Sequence, residues 1–475
     1  MLCKEVIDAS DVLCLFGFSE QEKIRDSLKE WLSLEGKFVF FFLEEHPLPR
    51  ERVDVEHFSS FCQTKAFLRY QYVIEPSLSK EKSARALQMM QTCQSLQWQA
   101  FLSASSFADW GLQLFKNARE NEKKEIDVTS FASFQGIFRG VPALILGAGP
   151  SLAPLLADIK KLEHRALFFS GGSALFCSGL PVHIAVGMDP NPSYKERFAE
   201  ASFTCPFFCT AQSASNVVDQ MQGPLFQVPS SSSYALERWI EGTNLPFEGG
   251  WTVGTFAVAL AIYFGCNPII LAGMDFSYPH SEEKYGGKDP QKNPEEILWE
   301  DPQEGVLYTQ KDWMLAVKWL ESLMIEHPSH AFYTLSSRSL PIQGVQRISL
   351  QALQKSLLTS SYDIEGLMQG IKSMHHVVKR QGDQWKQDLL AALSDVDKLF
   401  AFFERYYPED PLEHGEGMAC FFDLQERGFY QMLLAPLWDV WKSSIEALGK
   451  TPCEKKIHQC LFFKRVLEAY AHYAI

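Results

Sequence analysis

The sequence has no excess of positive charge. It carries 44 Lys and Arg against 58 Asp and Glu in 475 residues, which gives a formal net charge of −14. This balance argues against a broad basic surface for nucleic acid and leaves only a local basic pocket open. The first residues also lack the pattern of a signal peptide, so we expect a cytoplasmic protein.

Paired cysteines are scarce as well. The 11 cysteines are scattered and odd in number, and Cys205 and Cys209 are the only close pair after the N-terminal region. A structural zinc site needs a second pair at a suitable spacing. We therefore expect free thiols in a reducing compartment and no zinc ion.

Uninterrupted hydrophobic runs are short, with one exception that needs a test. Residues 249–274 carry no charge and are long enough to span a bilayer. The segment Gly265–Pro268 divides this run into two pieces, and no basic cluster flanks it to set an orientation. The sequence thus predicts a buried helix over 252–264 and a buried parallel strand over 269–272, not a membrane span.

What is present is typical of a soluble globular protein with several domains. Hydrophobic residues make up 46% of the chain and charged residues 21%. Changes in pattern along the chain predict a small α/β domain over 1–75 and a helical linker region over 76–135. They further predict an α/β core over 136–350 and a C-terminal helical bundle over 351–475.

The core region alternates short apolar runs with helical patterns, which predicts a doubly wound, mostly parallel, Rossmann-like sheet. The predicted strands are 143–146, 166–170, 184–187, 207–210, 225–228 and 269–272. Ligands of such sheets bind at the carboxyl ends of the strands. The residues that follow each strand are therefore the candidates for a site.

The first of these strand ends carries a glycine-rich turn, Gly147-Ala148-Gly149-Pro150-Ser151, followed by a helical pattern. Such a turn can leave peptide N–H groups free at a helix N-terminus, which is a favourable place for a phosphate. Ser151 would cap the helix or hold a phosphate oxygen. A purely structural tight turn is the alternative.

A nicotinamide or flavin dinucleotide is disfavoured by two departures from the usual fingerprint. Leu152 stands where the third glycine is expected, and the second strand ends in Ser170-Gly171-Gly172-Ser173 without a carboxylate for a ribose. Another nucleotide or phosphate ligand remains the better prediction.

Further polar residues follow the other strands. The predicted ligand-binding set is Gly147, Ala148, Gly149, Pro150, Ser151, Gly171, Gly172, Ser173, Asp189, Asn191, Gly250, Thr252 and Val253. Two apolar strands end alike in Gly-Met-Asp, at Asp189 and Asp275, and a carboxylate there can bind a ribose hydroxyl, a magnesium ion or a substrate amine. The alternatives are an Asx-turn at Asp189, a turn cap at Asp275 and a surface loop histidine at His280.

The order of these motifs resembles the motility accessory factor (Maf) family. That family shares a domain with the archaeal 6-hydroxymethylpterin pyrophosphokinases (MptE-like). The matching segments are 137–152, 179–190, 249–253, 265–275 and, more loosely, 308–312 through 342–344. The resemblance covers about 135–350, and the flanking regions are also similar to Maf architecture.

The resemblance implies a glycosyltransferase with a sialyltransferase-like core that transfers a nonulosonic sugar from a CMP-activated donor to Ser or Thr of a protein. It implies nucleotide contacts from Gly147, Gly149, Ser151, Asp189 and Asn191, and a donor phosphate or carboxylate held at Gly250–Thr252. The predicted catalytic group is Asp275, Tyr278 and His280, with His280 or Tyr278 as the base.

The related pterin enzymes imply a second hypothesis, in which ATP donates a pyrophosphoryl group and Mg²⁺ is held by Asp189 and Asp275. A third hypothesis is a non-catalytic binding or assembly protein on the same fold. The expected partners are a nucleotide and a small-molecule substrate, with a protein acceptor left open, and neither nucleic acid nor a membrane span is expected.

Overall fold

The computed structural model describes two compact units within the chain. Unit 1 comprises residues 1–109 and 394–465, and unit 2 comprises residues 110–393 and 466–475. The described residues are 7–18, 21–34, 36–42, 49–177, 179, 182–193, 203–229, 236, 239–240, 247–278, 297–301, 305–336, 338–378, 384–407 and 415–474.

Fourteen strands occur among these described residues. They are β1 Val12–Phe16, β2 Phe38–Phe42, β3 Tyr70–Ile74, β4 Ile126–Asp127, β5 Ala143–Leu146, β6 Leu167–Gly171, β7 Ile184–Gly187, β8 Phe207–Cys209, β9 Leu225–Gln227, β10 Ile269–Ala272, β11 Ile297–Asp301, β12 Gly305–Thr309, β13 Phe332–Thr334 and β14 Gln346–Arg347.

The described α-helices alternate with these strands and dominate the C-terminal region. They are α1 Gln21–Ser27, α2 Lys29–Leu32, α3 Pro49–Thr64, α4 Lys80–Ser105, α5 Gly111–Asn121, α6 Leu156–Ile159, α7 Ala174–Cys177, α8 Ser215–Val218, α9 Val253–Tyr263, α10 Lys311–Glu326, α11 Leu350–Ser356, α12 Ile364–Ser373, α13 Gln384–Tyr406, α14 Gly415–Glu426, α15 Ala435–Glu446 and α16 Pro452–Ala474. Short π-helical turns occur at Ser106–Trp110 and Tyr430–Leu434.

Unit 1 contains a three-stranded parallel sheet in the order β2-β1-β3. The central strand β1 is apolar throughout and buried, as expected for a strand covered on both faces. Strand β3 was not predicted, because its side chains are only half-buried and its neighbours along the chain are helical. Two short helices, α1 and α2, lie between β1 and β2 along the chain.

Unit 2 contains a nine-stranded sheet in the order β14-β13-β10-β5-β6-β7-β8-β9-β4. Every pairing in this sheet is parallel. The predicted doubly wound parallel fold is therefore confirmed, and each of the six predicted core strands is present to within one residue at either end. The short edge strands β4 and β14, the strand β13 next to β14 and the antiparallel hairpin β11–β12 were not predicted.

The uncharged run that needed a membrane test lies inside this fold. Its first part forms α9, whose residues from Thr255 to Ile262 are all buried, and its second part forms the buried strand β10. Helix α9 packs in one hydrophobic cluster with side chains of β5, β6, β7 and β10. In the described part of the chain, no helix is both long enough and apolar enough to cross a membrane.

The domain boundaries of the structure differ from those predicted. Residues 1–109 share a unit with 394–465, so the predicted C-terminal helical domain over 351–475 is divided between the two units. The predicted boundary at 350 does not coincide with a division of the structure, because α11 and α12 lie in the same unit as the parallel sheet.

One half-buried histidine supports the junction of β6 and β7. The Phe168 peptide N–H donates to Nδ1 of His183 at 2.9 Å, and the His183 N–H donates to the Phe168 carbonyl at 3.0 Å. Burial lowers the pKa of His183 to about 4, because a charged ring would be desolvated there. The neutral ring is thus part of the strand pairing.

Candidate functional site

A cleft of about 270 Å³ opens at the carboxyl edge of the parallel sheet in unit 2. It lies between the ends of β5 and β10, where the chain order reverses, since β6 to β9 continue on one side and β13 and β14 on the other. Such a switch point is the usual ligand site of an open parallel sheet. Its position alone makes this cleft the candidate site.

Most of the predicted residues line the cleft. Those in its walls are Gly147, Ala148, Gly149, Pro150, Gly171, Gly172, Ser173, Asp189, Thr252, Val253, Asp275 and Tyr278. Ser151, Asn191 and Gly250 lie beside the cleft and are not part of its lining. His280 lies outside the described residues.

The glycine turn after β5 does not present the predicted row of free N–H groups. The Gly147 N–H donates to the Ala272 carbonyl at 2.8 Å, and the Gly149 N–H donates to the Gly273 carbonyl at 2.8 Å. The predicted helix is also absent here, since the turn leads into a 3₁₀ turn and the four-residue α6. A segment this short provides little helix dipole for a phosphate.

Ser151 binds a carboxylate, and the prediction that it caps a helix is wrong. Its peptide N–H donates to Oδ2 of Asp275 at 2.9 Å and its hydroxyl donates to Oδ1 at 2.5 Å. The Ser336 hydroxyl donates to the same Oδ1 at 2.6 Å. Asp275 is only 2% exposed, so this carboxylate joins the segments that follow β5, β10 and β13. Burial raises the pKa of Asp275, against the effect of these donors.

The glycines of this turn are required by close packing against the segment after β10. A Cβ atom on Gly149 would lie 2.6 Å from Cγ of Asp275 and 2.7 Å from the Gly273 carbonyl oxygen. A Cβ atom on Gly147 would lie 2.7 Å from the Gly273 carbonyl carbon. The turn approaches the Gly273 carbonyl and the Asp275 carboxylate so closely that neither glycine has room for a side chain. The structural role that was left open for the turn is therefore present.

The N-terminus of α9 lies at the same cleft, and its first peptide N–H groups have no acceptor within the helix. Thr252 caps the helix: its hydroxyl accepts from the Thr255 N–H at 3.1 Å, and the Thr255 hydroxyl accepts from the Thr252 N–H at 2.9 Å. The N–H groups of Val253 and Gly254 have no acceptor within the helix, as in any first helical turn. Both residues line the cleft, so eleven residues of helix direct their positive end at it.

Asp189 forms the Asx-turn that the sequence left open, and it also lies at the cleft. Its Oδ1 accepts from the Asn191 N–H at 2.9 Å, which is an Asx-turn, and the residue also lines the cleft. Asn191 in turn accepts from the Ser193 N–H at 3.0 Å. Asn191 thus shapes the loop, whereas Asp189 is placed at the cleft.

An aromatic wall closes the opposite side. Tyr278 is 2% exposed, stacks on Tyr308 with ring centroids 5.7 Å apart, and meets the Trp313 ring edge-on at 6.0 Å. Phe276, which also lines the cleft, has a φ of 52°, a conformation that side chains rarely adopt outside functional or strained sites. Asp312, in the first turn of α10, adds a further carboxylate to the lining.

The predicted set omitted several residues that line the cleft, although some of them lie within or beside the matching segments. Trp251, Gly254, Phe276 and Ser277 are neighbours of predicted residues, and only the distance between strands decides that they reach the cleft. Asp312 and Trp313 follow the unpredicted hairpin β11–β12. The likeness of 308–312 to the Maf pattern was the one signal that could have found them.

The predicted magnesium ligands were tested against this geometry. Among the described residues, no cluster of three or more His, Cys, Asp or Glu side chains is arranged to hold a metal ion. Both oxygens of Asp275 already accept hydrogen bonds from Ser151, and one also accepts from Ser336. Ser151 and Ser336 thus use three of the roughly four lone-pair positions of the Asp275 carboxylate, so Asp275 is poorly suited to the role of a magnesium ligand.

Comparisons with known proteins agree with this architecture. Residues 113–281 match the model of the family described as 6-hydroxymethylpterin diphosphokinase MptE-like. This range includes β5 to β10 and most of the cleft. This part of the chain is thus similar to the MptE-like family, in agreement with the resemblance predicted from its motifs.

A solved structure described as the MAf glycosyltransferase from Magnetospirillum magneticum AMB-1 is similar over nearly the whole chain. The match covers 96% of this chain and 71% of that one, with a TM-score of 0.53 and 12% sequence identity. At that identity the likeness establishes the fold, and the predicted resemblance to Maf architecture is confirmed at that level. A search of the curated proteins gave no match.

Proposed function

We propose that this chain is a glycosyltransferase that binds a nucleotide-activated sugar in the cleft of unit 2 and transfers the sugar to a hydroxyl acceptor. The observation that carries the proposal is the N-terminus of α9, which directs two peptide N–H groups at a switch-point cleft. The fold likeness to a Maf glycosyltransferase supports the same class. The favoured donor is a CMP-linked nonulosonic sugar.

The first step is recognition of the donor phosphate. Val253 and Gly254 supply N–H groups in a fixed geometry, and the helix dipole adds a partial positive charge. These groups stabilise negative charge without a bound cation. Such a site suits a nucleoside monophosphate as leaving group, because negative charge develops on its phosphate during transfer.

The second step is transfer. The oxygen of the acceptor hydroxyl forms a bond to the anomeric carbon of the sugar. The bond between that carbon and the phosphate oxygen breaks, and the nucleoside monophosphate leaves with the electron pair. The hydroxyl proton passes to a base within hydrogen-bonding reach. Tyr278 and His280 remain the predicted bases, and Asp312 joins them because its carboxylate lines the cleft.

Asp275 takes a different role in this proposal. It was predicted in the catalytic group, but its carboxylate is buried and accepts three hydrogen bonds from Ser151 and Ser336. We assign it to holding the strand ends in place. This assignment also weakens the pyrophosphokinase hypothesis, which needs Asp275 as a magnesium ligand.

The test is thermal unfolding with CMP, UDP, GDP and ATP, each with Mg²⁺ and with EDTA. A ligand at 100 times its Kd adds about 2.7 kcal/mol to the unfolding free energy. We expect CMP to raise the Tm equally in Mg²⁺ and in EDTA. A rise only with ATP and Mg²⁺ would support the pyrophosphokinase instead, and no rise with any nucleotide would support a binding or assembly protein.

A further inference from the structure

Two buried asparagines on α5 contact the loops that follow β7 and β8. Asn117 and Asn121 are 1% and 2% exposed and lie one helical turn apart, so they share a face of the helix. Burying a side-chain amide is costly unless its polar atoms are hydrogen-bonded. The partners of these two amides therefore indicate why they are there.

Asn117 binds both loops at once. Its Nδ2 donates to the Pro190 carbonyl at 2.9 Å and to the Gln212 carbonyl at 2.9 Å, and its Oδ1 accepts from Nε2 of Gln113 at 2.8 Å. Both N–H bonds of this amide are used, and each goes to a loop carbonyl outside the sheet. Pro190 directly follows Asp189, so Asn117 fixes the peptide next to the cleft carboxylate.

Asn121 repeats the arrangement one turn later. Its Nδ2 donates to the Ala211 carbonyl at 2.9 Å and to the Ser213 carbonyl at 2.7 Å. Within the described part of the chain, its buried Oδ1 has no hydrogen-bond partner. The two donated hydrogen bonds therefore have to offset the cost of burying that oxygen without a partner.

The two loops are also bonded to each other around Asp189. The Ala214 N–H donates to the Asp189 carbonyl at 2.9 Å, and the Ser213 hydroxyl donates to the Gly187 carbonyl at 2.9 Å. Asn121 thus fixes the loop after β8 by two hydrogen bonds, and this loop in turn donates a hydrogen bond to the backbone of Asp189. Asn117 acts on the next peptide directly.

We infer that Asn117 and Asn121 are positioning residues that hold the Asp189 carboxylate at the cleft for a polar group of the bound nucleotide sugar. The inference rests on the proposed function for its ligand and on the hydrogen bonds of α5 for its geometry. It assigns the helix before the sheet a part in the binding site that no motif in the sequence indicates.

The binding test uses calorimetric titration with CMP and a double-mutant cycle. Asn117→Leu removes both donors at similar side-chain volume, and we expect it to weaken CMP binding about tenfold, the effect of about one buried hydrogen bond. Asp189→Asn should weaken binding as well. If Asn117 acts through Asp189, the double variant binds CMP no more weakly than Asp189→Asn alone. Losses that multiply, or unchanged binding in Asn117→Leu, would overturn the inference.

The matched control is Leu114→Ala, a core truncation on the same helix that leaves both asparagine side chains in place. Leu114 is 7% exposed, so the change lowers stability but should leave the CMP affinity as it is. Equal loss of affinity in Leu114→Ala and Asn117→Leu would show a general effect of stability, and the positioning role would be rejected.

Amide hydrogen exchange gives a readout that needs no ligand. Asn117→Leu and Asn121→Leu should increase exchange in peptides covering 187–193 and 210–215, whereas Leu114→Ala should not do so selectively. Unchanged local exchange overturns the inference even if CMP binds. If CMP does not bind the unaltered protein, the proposed function fails, and exchange alone decides whether the asparagines hold these loops.

Discussion

The turn after β5 and the start of α9 lie on the same cleft, but they differ in how their peptide N–H groups are used. The turn uses the N–H groups of Gly147, Gly149 and Ser151 to bind β10 and Asp275. The helix leaves those of Val253 and Gly254 without an intrahelical acceptor. A glycine-rich motif thus marks where two backbones approach each other, and the anion donors are on the neighbouring element.

The substitution Gly149→Ala tests whether the turn after β5 is packed tightly against the segment after β10. The added methyl would collide with Asp275 and with the Gly273 carbonyl, and both contacts are fixed by other hydrogen bonds. We expect the unfolding free energy to fall by about 3 kcal/mol, the upper part of the range for overpacked sites. Urea denaturation measures this change.

Gly370→Ala is the control for that substitution. Gly370 lies in α12 with no atom within 4 Å of an added Cβ, so the same chemical change should be neutral or stabilise by up to about 1 kcal/mol. If Gly149→Ala is as stable as Gly370→Ala, the turn is not held against Asp275, and its N–H groups would again be candidates for a phosphate.

The titration of His183 makes the stability of the protein depend on pH. Its pKa falls from 6.5 in the unfolded chain to about 4 in the fold, so between these values the unfolded state binds a proton that the folded state does not. Stability therefore decreases as the pH falls through that window. From pH 7 to pH 5 we expect a loss of about 2 kcal/mol from this group, measured by denaturation at each pH.

His183→Asn should remove that part of the pH dependence. The Asn Oδ1 atom can replace Nδ1 as the acceptor for the Phe168 N–H but does not titrate between pH 4 and 7. An unchanged slope in the variant would show that other groups cause the acid sensitivity. The CMP affinities of the variants should be compared above pH 6.5, where the ring of His183 is neutral in both the folded and the unfolded chain.

Val253→Pro tests the other half of the comparison. Proline at the first helical position removes one N–H group and keeps the helix, and the preceding Thr252 is already extended, as a residue before proline must be. We expect CMP binding to weaken about tenfold, the effect of one lost hydrogen bond to a charged group. Isothermal titration measures the affinity.

Val253→Ala is the matched variant, since it also shortens the side chain but keeps the N–H group. It should bind CMP within about twofold of the unaltered protein. Equal weakening in both variants would assign the effect to the lost side chain that packs near Gly171 and Gly172, and the helix N-terminus would lose its role.

Ser336→Ala gives the smallest expected effect. It removes one of the three hydrogen bonds to Asp275 and leaves both bonds from Ser151. We expect a loss of about 1 kcal/mol in stability and no change in CMP affinity, if the Asp275 network is structural only. A loss of affinity as large as that of Val253→Pro would place this network in the binding site.

The sequence alone predicted the parts of the fold that depend on local pattern. Strands β5, β7 and β10 are continuous apolar runs ended by glycine, and each was predicted at its observed bounds. Strands β4 and β14 have only two residues each and exist because a neighbour pairs with them, so no local signal marks them. The grouping of 1–109 with 394–465 is likewise a long-range property.

The candidate site divides in the same way. The strands of the core are parallel, so the residues that follow them lie at one edge of the sheet. The sequence therefore predicted that Gly149, Asp189 and Asp275 approach the same cleft. Which hydrogen bonds these residues make does not follow, because the Ser151 and Ser336 donors come from different strand ends. Asp312 was missed since it follows a hairpin that interrupts the core.

The pairing of β5 with β10 has a consequence for synthesis on the ribosome. Ala143 pairs with Ile269, so the inner edge of β5 stays open while the whole of β6 to β9 and α9 is translated. Parallel pairing over such a separation is slow and leaves apolar edges exposed to other chains. Nascent chains that end before residue 269 should therefore aggregate or bind chaperones, and release should coincide with the emergence of β10.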